Sequence, residues 1–124
     1  MTDAPNVIIH DGLVAPGVLR VSPDALNYAR AFIEAVTAAH GEGNIAIFGW
    51  ADMCTFKTDP DGPTQVVKDF LDLGGISRSE IPADAVQTVD GFDFVIEIPL
   101  KVLQRSVERL IDMDENAFAR LVLK

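Results

Sequence analysis

One stretch, residues 44–57, constrains the fold of this chain more than any other feature. It reads Asn-Ile-Ala-Ile-Phe-Gly-Trp-Ala-Asp-Met-Cys-Thr-Phe-Lys and is apolar in both alternating registers. A strand with one solvated face alternates between apolar and polar residues, whereas a strand covered on both faces does not. The stretch therefore predicts a central strand with other elements packed on each side. Gly49 marks a position where a bulge would shift the register of the residues that follow.

Helix signals surround this stretch. Ser22-Pro23-Asp24 combines a capping side chain, a proline suited to the first helical position and an acid that favours the positive end of the helix dipole. An apolar stripe follows, and the helix is expected to end near His40, before Gly41. Apolar spacing predicts three further helices: a short one over Thr64–Leu73, an amphipathic one from Pro99 to Ile111, and a last short one through Val122.

The remaining elements are predicted as short strands. Val7–Ile9 is a brief β-branched run, and Val18–Val21 is a second short apolar run. A hairpin is predicted from Val86–Val89 and Phe92–Ile98, because Asp90-Gly91 supplies the positive backbone angles of a two-residue turn. Strands and helices are interspersed without regular alternation, which favours an α+β fold with a mostly antiparallel sheet. We expect about four to five short strands, with two main helices and one or two short ones packed on them.

The length predicts one domain, residues 1–124, with residues 1–6 as a disordered tail. The chain carries 19 acidic and 10 basic residues, a net charge of -9, so nucleic acid and anionic membranes are not expected as partners. The amino terminus lacks the basic and apolar runs of a signal peptide, and no apolar run approaches the roughly 20 residues of a membrane helix. A cytoplasmic location is the expectation.

The candidate ligand-binding residues are Trp50, Asp52, Cys54 and Phe56, all within the apolar strand. An apolar pocket with a few polar groups is the usual form of a ligand site. Asp52 is the only acidic residue in this stretch. Cys54 is the only cysteine, so an internal disulfide and a cysteine-based zinc site are both excluded. Its two interpretations are a buried small hydrophobe and a thiol nucleophile, and Asp52 opposes formation of the thiolate.

Each of the two histidines has a structural interpretation and a functional one. His10 lies in a turn sequence and His40 near a helix end, where a cation interacts favourably with the helix dipole. Either could serve as a base for Cys54 or join it in holding a metal. Neither spacing defines a catalytic or metal motif, so no catalytic residue, no metal ligand and no cofactor is predicted.

The chain has a strand, a capped helix around Ser22-Pro23-Asp24, a strand leading to Cys54 and a late hairpin at Asp90-Gly91. This order of elements resembles that of the A-type iron-sulfur carriers, the HesB/IscA-like proteins. Those carriers use three cysteines, two of them near the carboxyl end, and residues 114–124 contain none. Cluster binding is therefore not implied for this chain.

Three functional hypotheses follow. The leading one is a small acidic cytoplasmic protein of no recognisable catalytic type that acts as a protein-interaction module or a homodimer, since a mean hydropathy of +0.21 leaves apolar residues to be covered. The alternative is a small-molecule-binding protein or enzyme with its pocket near Trp50, Asp52 and Cys54. The weakest is a metal or iron-sulfur-related protein.

Overall fold

The capped helix start and the long apolar strand organise the fold, which a computed structural model describes for residues 7–10 and 12–124. Within these residues the α-helices are α1 (Pro23–His40) and α2 (Leu100–Arg105), with 3₁₀ turns at Arg78–Glu80 and Ala83–Ala85. The strands in the described residues are β1 (Ile8–Ile9), β2 (Leu13–Val14), β3 (Arg20–Val21), β4 (Asn44–Phe56), β5 (Gln65–Ser77), β6 (Gln87–Val89), β7 (Phe92–Glu97), β8 (Leu110–Met113) and β9 (Leu121–Leu123). The tail expected at residues 1–6 lies outside the described residues.

The strands form one mixed sheet in the order β1-β2-β7-β4-β5-β9-β8-β3, and β6 pairs with β7. β4 runs parallel to β7, β3 runs parallel to β8, and the other pairs are antiparallel. The chain is α+β overall, but the expected sheet of four to five mostly antiparallel strands is wrong. Two-residue strands such as β2 are too short for a sequence pattern to reveal, and several segments that resemble helices pair as strands.

The amino-terminal half of β4 is covered on both faces, as its double apolar register predicts. On one face Ala46 and Phe48 join the main core with residues of α1 and β7. On the other face Ile45 packs in a second cluster with Leu13, Ala85 and Val95. The ladder with β5 continues through Gly49, so no bulge forms there, and it is interrupted at Asp52 and Asp69 instead.

Helix α1 begins as predicted. The Ala25 backbone N–H donates to the Ser22 hydroxyl oxygen at 3.1 Å, which satisfies one of the free amides at the helix start. Ala25, Leu26 and Ala29 are buried. The helix ends at Gly41, whose φ of 87° lies in a region that residues with a side chain rarely adopt.

Three predicted helices differ in the structure. Residues 65–73 of the first one lie in β5, because twelve residue pairs with β4 outweigh a short helical stripe. The helix after Pro99 stops at Arg105, Arg109 takes a left-handed φ of 52°, and the chain continues into β8. The last predicted helix is a turn and strand β9, which pairs with β8. In each case strand pairing decides a segment whose apolar spacing fits a helix.

The predicted hairpin is confirmed. Val89 pairs with Phe92 around Asp90 and Gly91, whose φ angles of 51° and 78° are those of the turn that the Asp-Gly pair favours. Among the described residues, no helix is long and apolar enough to cross a membrane.

Candidate functional site

The distal half of the β4–β5 hairpin, residues 50–70, extends past its neighbouring strands, and we call it the arm. β7 pairs with β4 only from Ala46 to Gly49, and β9 pairs with β5 only at Leu71. Among the described residues, the outer edges of the arm therefore have no strand partner. Met53 is 60% exposed and Val66 is 51% exposed on this ribbon. All four sequence-predicted site residues belong to the arm.

Trp50 and Asp52 lie beside a hollow of about 340 Å³ at the base of the arm. Its other lining residues are Asp69 of β5 and Lys101, Val102 and Arg105 of α2. Trp50, Asp69, Val102 and Arg105 also line an adjoining hollow of about 280 Å³. We call the two together the Trp50 hollow. The structure thus brings two of the predicted residues together at one concave surface.

The charges around the Trp50 hollow are balanced. Lys101 and Arg105 are four residues apart on α2, so they project from the same side of the helix, and they face the hollow with Asp52 and Asp69. No ion pair within 4.0 Å joins any two of these described side chains. Two cations and two carboxylates therefore surround an indole ring without neutralising one another directly.

Asp69 has an unusual backbone conformation in this hollow. Its φ is 53°, inside a strand, at the point where the β4–β5 ladder is interrupted. Such a conformation costs roughly 1–3 kcal/mol for a residue other than glycine and often accompanies a functional site. The strained residue is thus one of those that line the hollow.

Cys54 and Phe56 do not line the Trp50 hollow. Cys54 is half-buried and lies opposite Val67, and its thiol donates to the Thr55 carbonyl oxygen at a sulfur-oxygen distance of 3.8 Å. The ring centroid of Phe56 lies 5.0 Å from that of Phe118, and the Phe70 centroid lies 5.4 Å from Phe118. The predicted set thus divides into a hollow and an aromatic cluster.

The histidines are placed elsewhere. His10 Nε2 lies 2.6 Å from the Asp84 carboxylate, and His40 occupies the last turn of α1. In residues 7–10 and 12–124, no three His, Cys, Asp or Glu side chains form a group able to hold a metal ion. The combination of Cys54 with a histidine as a metal site thus has no cluster in the described part of the chain.

Sequence reasoning missed Asp69, Lys101 and Arg105. Lys101 and Arg105 belong to the polar stripe of the predicted amphipathic helix, and such a stripe usually faces solvent. The sequence predicts a helix around Asp69, and this helix does not form. Lys101 and Arg105 face the arm because α2 is shorter than predicted and is followed by strand β8.

Comparisons with known proteins gave no relative: the chain matches no family model, no curated protein and no solved structure.

Proposed function

We propose that this protein is a self-associating module, and that the arm of one copy pairs edge to edge with the arm of a second copy. The observation that carries this proposal is the arm itself, which combines free strand edges with exposed Met53 and Val66. An isolated two-stranded ribbon is only marginally stable in water, and an open strand edge readily pairs with another chain. The single cysteine and the net negative charge of the protein support a cytoplasmic location.

A second copy is the occupant that symmetry favours. When the same edge meets itself about a two-fold axis, the contact is closed and gives a dimer rather than a fibre. The β4 side of the arm, residues 50–56, carries one charged residue, Asp52, so pairing through this edge brings little like charge together.

The test is the molar mass in solution, measured by sedimentation equilibrium over a wide concentration range. We expect a dimer for the natural chain and a monomer for Met53→Lys, because a lysine on an exposed strand edge opposes pairing. Val107→Lys is the matched control: Val107 is 90% exposed and lies outside the arm, so this variant should remain dimeric. A natural chain that is monomeric throughout, or a dimer unaffected by Met53→Lys, would overturn the proposal.

A second candidate function rests on the Trp50 hollow. An indole ring flanked by two cations and two carboxylates suits a small, flat molecule that carries charges of both signs. This form of the alternative hypothesis keeps Trp50 and Asp52 as binding residues. Cys54 and Phe56 lie outside the hollow, so their role would be indirect.

Fluorescence distinguishes this candidate, because Trp50 is the only tryptophan. Titration with a library of free amino acids and other small zwitterions should quench or shift its emission. Asp52→Asn and Arg105→Gln should abolish the response, and Cys54→Ser should preserve it. If no compound changes the emission of the natural protein, the Trp50 hollow is not a site for this class of ligand.

A further inference from the structure

A cavity of about 660 Å³ lies between the two ends of the sheet, away from the arm. β3 is the last strand at one end of the strand order, and β6 adds to β7 near the other end. Residues of both strands line this cavity, which therefore occupies a gap between β3 and β6. The volume falls within the range of about 300–1,000 Å³ that is typical of ligand pockets.

The cavity wall is mainly apolar. Its apolar members come from both ends of the sheet and from the segment before α1, and include Leu19, Val21, Val86, Val89, Phe94 and Leu110. Among the described residues, Arg20 is the one charged residue in the wall. In a chain of net charge -9, a cavity whose single lining charge is positive favours an anionic group on an otherwise apolar molecule.

Arg20 keeps most of its hydrogen-bonding capacity. Its side chain is exposed, and the one hydrogen bond it donates within the described residues reaches the Glu108 carbonyl oxygen at 3.5 Å, beyond the usual range. No described carboxylate lies within 4.0 Å of it. A guanidinium has five N–H donors arranged to bind a carboxylate in a bidentate manner, and these donors are available at the cavity.

The backbone at both sides of the gap also offers polar groups. The Arg20 N–H donates to the Arg109 carbonyl oxygen at 2.9 Å and the Ser22 N–H donates to that of Ile111 at 2.8 Å, so the Val21 amide points away from β8. On β6, Val89 closes the two-residue turn with Phe92, so the Thr88 amide points away from β7. These amides can orient a bound molecule.

The length of the edges separates a small ligand from a peptide. β3 has two residues and β6 has three, whereas a peptide that adds as a strand needs several consecutive pairs. Apolar side chains, and not strand edges, form most of the cavity wall. From the cavity, its single cation and its short edges, we infer that this protein binds a small apolar molecule with one acidic group, such as a medium-chain carboxylate, with its acid on Arg20.

The experiment is calorimetric titration of the full chain with decanoate and with decanol, each below the concentration at which it aggregates. Decanoate should bind about tenfold more tightly than decanol, because one hydrogen bond to a charged group contributes roughly that factor. Arg20→Gln should raise the Kd of decanoate about tenfold and leave the Kd of decanol unchanged. Arg20 is exposed, so this variant should fold normally.

A second pair of variants locates the binding. Val89→Trp places a large ring at the cavity from a position that is 39% exposed, and should weaken both ligands. Val107→Trp is the same substitution at an exposed site outside the cavity and should leave both Kd values unchanged. The inference is overturned if neither ligand binds, if Arg20→Gln retains the preference for decanoate, or if Val89→Trp binds as the natural chain does.

Discussion

The ring of Phe118 packs against the ring of Phe56, with centroids 5.0 Å apart and planes inclined by 35°. Phe118 precedes β9, and Phe56 is the last residue of β4, so the contact links the carboxyl-terminal turn to the arm. Phe118 remains 50% exposed even with Phe56 and Phe70 beside it. The arm is thus supported on one side by an aromatic cluster that itself presents apolar surface to solvent.

Phe118→Ala should destabilise the protein by about 1–2 kcal/mol, because it removes two aromatic contacts and uncovers Phe56 and Phe70. Urea unfolding at a protein concentration where the natural chain is monomeric measures the change without a contribution from association. Val107→Ala truncates a side chain that is 90% exposed and should leave the midpoint unchanged. Equal midpoints for Phe118→Ala and the natural chain would show that the aromatic cluster does not support the arm.

Cys54 should report the edge pairing directly. A two-fold antiparallel pairing centred on Trp50–Phe56 places the two copies of Cys54 within two positions of each other, at roughly 7–8 Å or less. A short bismaleimide should therefore join the natural chain into a covalent dimer, visible by denaturing electrophoresis. The double variant Cys54→Ser, Val107→Cys keeps one cysteine per chain but places it outside the arm, so after the same treatment it should run as a single chain on the denaturing gel. Equal cross-linking of both proteins would contradict the pairing.

Elements with local chemical signals were predictable from sequence. Ser22-Pro23-Asp24 and Gly41 set the ends of α1, and Asp90-Gly91 sets the β6–β7 turn, because caps and tight turns depend on residues a few positions apart. β5 was not predictable in this way. Val66, Val67, Phe70 and Leu71 satisfy a helical spacing, and only the free edge of β4 selects the strand.

The candidate site shows the same division. The sequence singles out Trp50 and Asp52, the only tryptophan of the chain and an acid in an otherwise apolar strand. The structure places both at one hollow. Arg20 in the large cavity gave no signal, because its significance comes from β3 and β6 meeting across the gap. Convergence of segments about 65 residues apart in sequence is a property of the sheet order, which no local pattern contains.

Two glycines should respond differently to alanine. Gly91 has a φ of 78°, so Gly91→Ala forces a side chain into a left-handed turn and should cost about 1 kcal/mol. At Gly75 an added Cβ would lie 3.8 Å from the Val36 side chain, an ordinary contact with α1, so Gly75→Ala should be neutral or slightly stabilising. Thermal unfolding of both variants provides the comparison. A larger loss for Gly75→Ala than for Gly91→Ala would contradict the assigned packing of α1.

Asp112 should give the protein an acid-dependent component of stability. The pKa of Asp112 is lowered from 3.8 to about 2 by hydrogen bonds from the Ser22 hydroxyl, the Lys124 ammonium group and the Met113 backbone N–H. The Lys124 nitrogen lies 2.9 Å from an Asp112 oxygen. A carboxylate with a lower pKa in the folded state stabilises it fully above the unfolded-state pKa. That contribution declines as the pH falls from about 4 towards 2. Asp112→Asn should therefore lower the Tm at pH 7, and the difference from the natural chain should shrink towards pH 2.

Two variants identify the source of this effect. Lys124→Met removes the ion pair but leaves the Ser22 hydroxyl, the largest cause of the lowered pKa, so it should reproduce only part of the Tm loss at pH 7. Asp61→Asn removes an exposed carboxylate from the turn between β4 and β5, and its Tm should follow that of the natural chain across the range. If the Asp112→Asn difference stays constant from pH 7 to pH 2, the loss arises from packing and not from ionisation of Asp112.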